Sequence, residues 1–211
     1  MDLRGNRILR KIKISDMLSK FILPMLFLCL SCKQKILTAD IKNENLYDDT
    51  AYDNPYDAIS KIPLPAGFKR VIYSPGSFSD WLRNVKLKKS KTVYKFDGTP
   101  KHNQSAQFAV LNISVGYRDL QQCADAIIRL RAEFFYDNKM FSQIIFTDNN
   151  GKSYHYQPPY TRNHFDNYLQ QVFGMCGTAS LSKQLKQHIE LKHIEPGDVL
   201  IRGGFPDMLL L

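Results

Sequence analysis

The side chains equipped for chemistry in this sequence are few. Cys123 and Cys176 could act as nucleophiles, and His102, His155, His164, His188 and His193 could move protons near neutral pH. Cys123 stands near the start of the longest helical pattern, "DLQQCADAIIRLRAEFFYD", where unpaired backbone N–H groups and the helix dipole favour a thiolate over a thiol. The same residue falls at helical spacing with Ile127, Leu130 and Phe134, and a cysteine on an apolar face serves as a small buried hydrophobe. Both readings stay open. A nucleophile needs a base, and sequence distance excludes none of the histidines. His188 and His193 lack metal spacing on one helix face and no cysteine pair accompanies them, so neither a metal site nor another cofactor is expected. His164 reads as a solvated first-turn residue, Cys176 in "GMCGT" as a small core residue, and Asp198 in "PGDV" as a turn-former. Cys123 and Cys176 could pair in an exported domain, but spacing does not fix their distance.

The elements that must position these residues follow from hydrophobic period and punctuation. Ser77 is expected to cap a helix with Phe78, Trp81, Leu82 and Val85 on one face. Asp119 is expected to cap the long helix, with Arg129, Arg131 and Glu133 mostly on its other faces. Short strands are expected over Lys69–Tyr73, along "KTVYKF" before the Asp97-Gly98 turn, and, as a buried strand, along "QFAVLNISVG". "QIIFTDNNGKSYHY" predicts a hairpin around Asn150-Gly151. Asn163 is expected to cap a helix that Gly177 ends, Ser180 a further helix through "SLSKQLKQHIEL", and "VLIRGG" starts a strand after the Pro196-Gly197-Asp198 turn. Strands and helices segregated in this way predict an α+β fold with a mainly antiparallel sheet.

Composition sets the wider frame. The chain has 211 residues, 44% hydrophobic and 12% aromatic, enough for one packed domain with appendages. Of its net charge of +9, four units lie in residues 1–31, where six Lys or Arg face Asp2 and Asp16. There the basic stretch precedes an apolar run from Phe21 to Leu30, interrupted by Pro24, which is too short to span a bilayer and reads as an export signal. Leu30-Ser31-Cys32 resembles a bacterial lipobox, with a departure at Cys29, and so nominates Cys32 for lipidation and membrane anchoring; an ordinary secretory signal or short anchor is the alternative. Residues 32–60 read as a polar, acidic tether and residues 61–211 as the domain. The lysines of Lys86–Lys91 fit a solvated edge strand better than a phosphate-binding face, and no nucleic-acid partner is expected.

"LPAGFKR", "GSFSDWLR", "DLQQCADAIIRLRAEFFY" and "GDVLIRGGFP", in this order, resemble the bacterial lipoprotein family of domain of unknown function 4846. The match runs from about Ile62 to Pro206. The family layout, a cysteine at a helix start followed downstream by a "GD" strand and a histidine, is similar to papain-like, NlpC-type cysteine hydrolases that cut cell-wall peptides. The resemblance implies Cys123 as nucleophile, Gln121 or Gln122 as oxyanion donor, and a cell-wall peptide or glycan as partner. Family members continue the last strand with Gly-His-Ala, whereas this sequence reads Phe205-Pro206-Asp207-Met208-Leu209-Leu210-Leu211. With synonymous codons chosen for the purpose, deleting one base from a run of guanines converts the one into the other and creates a stop; a sequencing or assembly error in an intact gene is the alternative. The expectation is a domain incomplete at its C-terminus, lacking the histidine base, inactive and marginally folded, with Val199–Ile201 short of neighbours and an exposed apolar tail. A non-catalytic envelope binding or scaffold lipoprotein is the competing expectation, with Trp81, Arg129, Arg131 and Arg162 serving packing and ion pairs.

Overall fold

A computed structural model describes residues 10–12, 53–187, 191–201 and 208–210. The architecture is α+β, with four α-helices, an antiparallel two-stranded hairpin and a four-stranded sheet among the described residues. In chain order the elements are β1 (Arg10–Ile12), α1 (Phe78–Asn84), α2 (Cys123–Asp137), β2 (Ile145–Thr147), β3 (Ser153–His155), α3 (Arg162–Met175), α4 (Thr178–Gln184), β4 (Lys186–Gln187), β5 (Val199–Ile201) and β6 (Met208–Leu210).

α2 is the axis of the core. Ile127, Ile128, Leu130, Ala132, Phe134 and Phe135 are all buried, and so are Arg129 and Glu133, which sequence periodicity places on other faces. A helix covered on several sides must bury polar residues too, and these two do so as a pair. α1 forms as expected: the Asp80 N–H donates to Ser77 Oγ at 3.2 Å, and Phe78, Leu82 and Val85 are buried with Trp81 beside them. The hairpin also forms, with Ile145 opposite His155 and Thr147 opposite Ser153. The Tyr168 hydroxyl of α3 fastens it, within reach of the carbonyls of Tyr154 at 2.9 Å and Ile144 at 3.2 Å. Gln184 of α4 stands in for a missing strand at the β2 edge: its amide accepts from Thr147 N at 3.1 Å and donates to Thr147 O at 2.8 Å.

Several expected boundaries move. α3 is capped by Thr161, whose hydroxyl accepts from the His164 N–H at 3.3 Å, rather than by Asn163. α4 starts at Thr178, so Ser180 lies inside it and accepts from the Gly177 N–H at 3.0 Å; the helix ends at Gln184, before "KQHIEL". Lys69–Tyr73 is no strand, with Ile72 95% exposed, and "QFAVLNISVG" is irregular, with Phe108 63% exposed. Their β-branched residues favour strands only where a partner surface is available to pack against.

The basic stretch from Lys86 is not an edge. Lys88 N–H bonds Val110 O at 2.8 Å and Asn112 N–H bonds Lys86 O at 2.8 Å, while on the other side Asn54 N–H bonds Lys89 O and Leu87 N–H bonds Asp57 O. Asn54 and Ala58 are buried in this arrangement, so packed chain begins within the segment expected to be tether.

The four-stranded sheet has the order β4-β1-β5-β6. β1 pairs parallel with both β4 and β5, and β5 pairs antiparallel with β6, so this sheet is mixed, while the β2–β3 hairpin is antiparallel as expected. β5 is accordingly not short of neighbours: Val199 and Ile201 are buried, and Met208–Leu210 pairs along it through its backbone. The Pro196–Asp198 turn precedes it as expected. Gly197 has φ +101°, and a Cβ there would lie 2.8 Å from Phe78 Cδ1, which ties the turn to α1.

Candidate functional site

Cys123 is the first residue of α2, not a residue of its second turn. The chain turns at Asp119–Leu120 and reaches the helix only at Gln122, which occupies the cap position expected of Asp119. The local cause is Asp125, whose Oδ2 accepts from the Gln122 backbone N–H at 3.1 Å and closes the first turn. This start projects Cys123 beyond the core that buries Ile127, Leu130 and Phe134, and its thiol is free and exposed. The choice left open by the sequence, buried hydrophobe or accessible thiol, falls to the second. The backbone N–H groups in the first turn of α2 have no intrahelical acceptor.

A cleft of about 550 Å³ opens at this helix start. Gln121, Gln122 and Cys123 line it together, so all three residues implied by the family layout meet at one place. Gln121 is partly engaged, its Nε2 lying 3.3 Å from the Ser114 carbonyl, whereas Gln122 is exposed. Tyr94, Lys95, Phe96 and Lys101, from the two sides of the Asp97-Gly98 turn, form the opposite wall, and Arg118 and Asp119 complete it. Lys95 N–H bonds Thr99 O and Lys101 N–H bonds Val93 O, both at 2.8 Å, so the turn is pinned although no regular strand forms.

Among the described residues no histidine lines this cleft. His102 and His193 are exposed in loop and turn, His155 is exposed on β3, and His164 sits in α3 with Nδ1 2.8 Å from Pro159 O. His188 and the lipidation candidate Cys32 lie outside the described residues. Cys176 is 2% exposed at the end of α3, where burial pushes its thiol up to about 11, and it is unpaired. Asp198 accepts from Glu195 N at 2.9 Å, the turn role expected of it.

Two features go beyond the sequence reading, which assigned Arg129 and Arg162 to packing and ion pairs without naming their partners. Asp125, two residues from Cys123, has its carboxyl pushed up to about 6 by burial, against which the Gln122 N–H bond acts only partly. A charge network lies deeper between α2 and α3. Arg129 Nη1 donates to Glu133 Oε1 and Asp166 Oδ1, both at 3.0 Å, while Arg162 grips Glu133 with two bonds of 2.6 Å and reaches Asp166. Glu133 first, and Asp166 after it, raise the Arg162 guanidinium above its ordinary value. The signal was present as two i, i+4 pairs, Arg129–Glu133 and Arg162–Asp166. Arg131 instead stacks near Phe135 and Phe146, and Trp81 Nε1 donates to Asp137 at 2.9 Å, so all four residues assigned to packing and ion pairs do that work.

Among the described residues no group of three or more His, Cys, Asp or Glu converges on a metal-sized site, and no helix is long and apolar enough to cross a membrane. No curated protein and no solved structure matches the chain. The family model described as domain of unknown function (4846) matches residues 59–161 and 154–211. The match includes Cys123, both walls of its cleft and the α2–α3 charge network, and by that extent the chain belongs to the domain of unknown function 4846 family.

Proposed function

We propose that this is a cell-envelope lipoprotein, anchored through lipidated Cys32 once residues 1–31, β1 with them, are removed and β5 keeps its pairing with β6, and that its domain descends from a papain-like cysteine hydrolase acting on cell-wall peptides. The observation that carries the reading is the exposed Cys123 thiol at the first position of a 15-residue helix, opening with Gln121 and Gln122 onto one cleft. In that role Cys123 Sγ attacks the amide carbonyl, and the Gln122 side chain with the first-turn N–H groups of α2 receives the oxyanion. Among the described residues no histidine lines the cleft to activate the thiol or to protonate a leaving amine, and on this reading no sustained amidase turnover is expected.

That same lack favours a second reading, a non-catalytic envelope protein that binds cell-wall peptide or glycan in the cleft. The two separate on an activated ester. With p-nitrophenyl acetate, hydrolase ancestry predicts a burst approaching one equivalent of p-nitrophenolate, acetyl on Cys123 by peptide mass spectrometry, and no sustained turnover; Cys123→Ser removes the burst. Absence of acylation at Cys123 while the protein remains folded contradicts hydrolase ancestry and leaves the binding reading.

A further inference from the structure

The cleft at Cys123 has a charge of its own. Lys95, Lys101 and Arg118 line it against one carboxylate, Asp119. Lys95 is shared with Asp97 at 3.9 Å, a loose pair with both side chains about half exposed. Among the described residues the Lys101 ammonium and the Arg118 guanidinium have no ion-pair partner. By contrast, Arg129 and Arg162 both end on Glu133 and Asp166. Val93, Val115, Tyr94 at 48% and Phe96 at 42% exposure add an apolar and aromatic lining, and the N-terminal end of α2 borders the same cleft. Unpaired cations, a helix N-terminus and aromatic faces around one cavity are complementary to a ligand with carboxylates set along an apolar or amide backbone.

The geometry points to a carboxylate-rich peptide as the occupant of this cleft, held by Lys101 and Arg118 across from Cys123. The inference rests on the cleft being the working site of the domain and names the chemistry of what enters it. Lys101 stands on the arm after the Asp97-Gly98 turn and Arg118 on the loop that leads into α2, so the two cations approach the cleft from different segments. A peptide between them would bridge the turn and the helix start, and its backbone would cross the Cys123 thiol.

The test uses the full chain with triglutamate and triglutamine as probes, in calorimetric titrations at low and high salt. Triglutamate is expected to bind at least about tenfold more tightly than triglutamine at low ionic strength, with the advantage lost at about 0.5 M salt. Lys101→Glu with Arg118→Glu abolishes the difference. Should those changes impair folding, the milder Lys101→Gln with Arg118→Gln is expected to narrow it. Equal binding of the two peptides, or triglutamate binding that survives both pairs of substitutions in a folded protein, overturns the inference. Carbamidomethylation of Cys123, followed by peptide mass spectrometry, separates this outcome from the fate of the hydrolase reading. Charge-selective binding beside an inert Cys123 keeps the anionic-peptide site and removes the hydrolase, and a reactive Cys123 without charge-selective binding does the opposite.

Discussion

Two regions of this molecule differ in how they hold their shape. From Cys123 to Gln184 the chain is helices and a hairpin, with Ile128, Phe135, Ile144, Phe146, Phe165, Leu169 and Leu181 almost completely buried. From Ile62 to Gln122 only α1 is regular, and Phe68, Val71, Ile72, Phe108 and Tyr117 stand exposed. The cleft lies at their boundary. The ordered region contributes Cys123 on a helix fixed by the core, and the irregular region contributes the cations and aromatic faces opposite. A reactive group held by a rigid element, and a recognition surface held by loops, is the division of labour that binding sites commonly show.

The largest effect separating the regions is expected at Glu133, which binds two arginines between α2 and α3. Glu133→Gln leaves the buried Arg129 with Asp166 alone, and the expected loss is about 3–5 kcal/mol in a denaturant melt. A loss below about 1 kcal/mol would mean that the network is solvated and that packing alone holds the ordered region. Gly197→Ala comes next, because it combines a positive φ with a Cβ placed against Phe78; about 2–3 kcal/mol is expected from the same measurement.

Asp125 joins the regions at the helix start, and its effect depends on pH. Its carboxyl is held at about 6 when folded against an ordinary 3.8, so between these values the folded state retains a proton that the unfolded state has released. The stability this provides is complete below about 3.8 and is lost as pH rises through about 6. Asp125→Asn keeps an acceptor for the Gln122 N–H and is expected to flatten the dependence of Tm on pH across that window. It is also expected to gain about 1–2 kcal/mol relative to the parent at pH 7. A parent Tm that rises from pH 4 to 6, with Asp125→Asn abolishing the rise, reverses the sign and would place the carboxyl in a stabilising ion pair. The smallest effect is expected in the irregular region: Ile72→Ser, at a side chain 95% exposed, should fall within about 0.5 kcal/mol of the parent. A larger loss would show that this region packs more tightly than its exposure indicates.

Legibility in the sequence follows the same division. Where an element buries a face against the core, its period was visible: α1 with its Ser77 cap, the hairpin at Asn150-Gly151, and the existence of α2 and α3. Starts were less visible, because Asp119 and Asn163 are good caps by type while Gln122 and Thr161 hold the positions through Asp125 and His164. The misread strands at Lys69–Tyr73 and "QFAVLNISVG" carry β-forming residues without a sheet to join, and β-propensity without a partner decides little. Of the cleft lining, Gln121, Gln122 and Cys123 are consecutive, so their common place at the helix start was legible in the order of the chain. The opposite wall was not, since nothing in the spacing of Lys95, Lys101 and Arg118 reveals that a turn and a loop bring them to the same helix end. The burial of Arg129 and Glu133 was also hidden, because a charged pair four residues apart looks the same on a solvated face as in a packed one.

The functional reading turns on Cys123 as an accessible thiol at the first position of α2, in a cleft that Lys101 and Arg118 also line. The direct measurement is the second-order rate of carbamidomethylation at pH 7 in the native full chain, read separately for the peptides carrying Cys123 and Cys176 and compared with an unstructured cysteine peptide. Cys123 is expected to react about tenfold faster than the free peptide, while Cys176 stays protected until the protein unfolds. A Cys123 that reacts no faster than the free peptide, or only on unfolding, would contradict the account and reduce this residue to a surface or packing thiol.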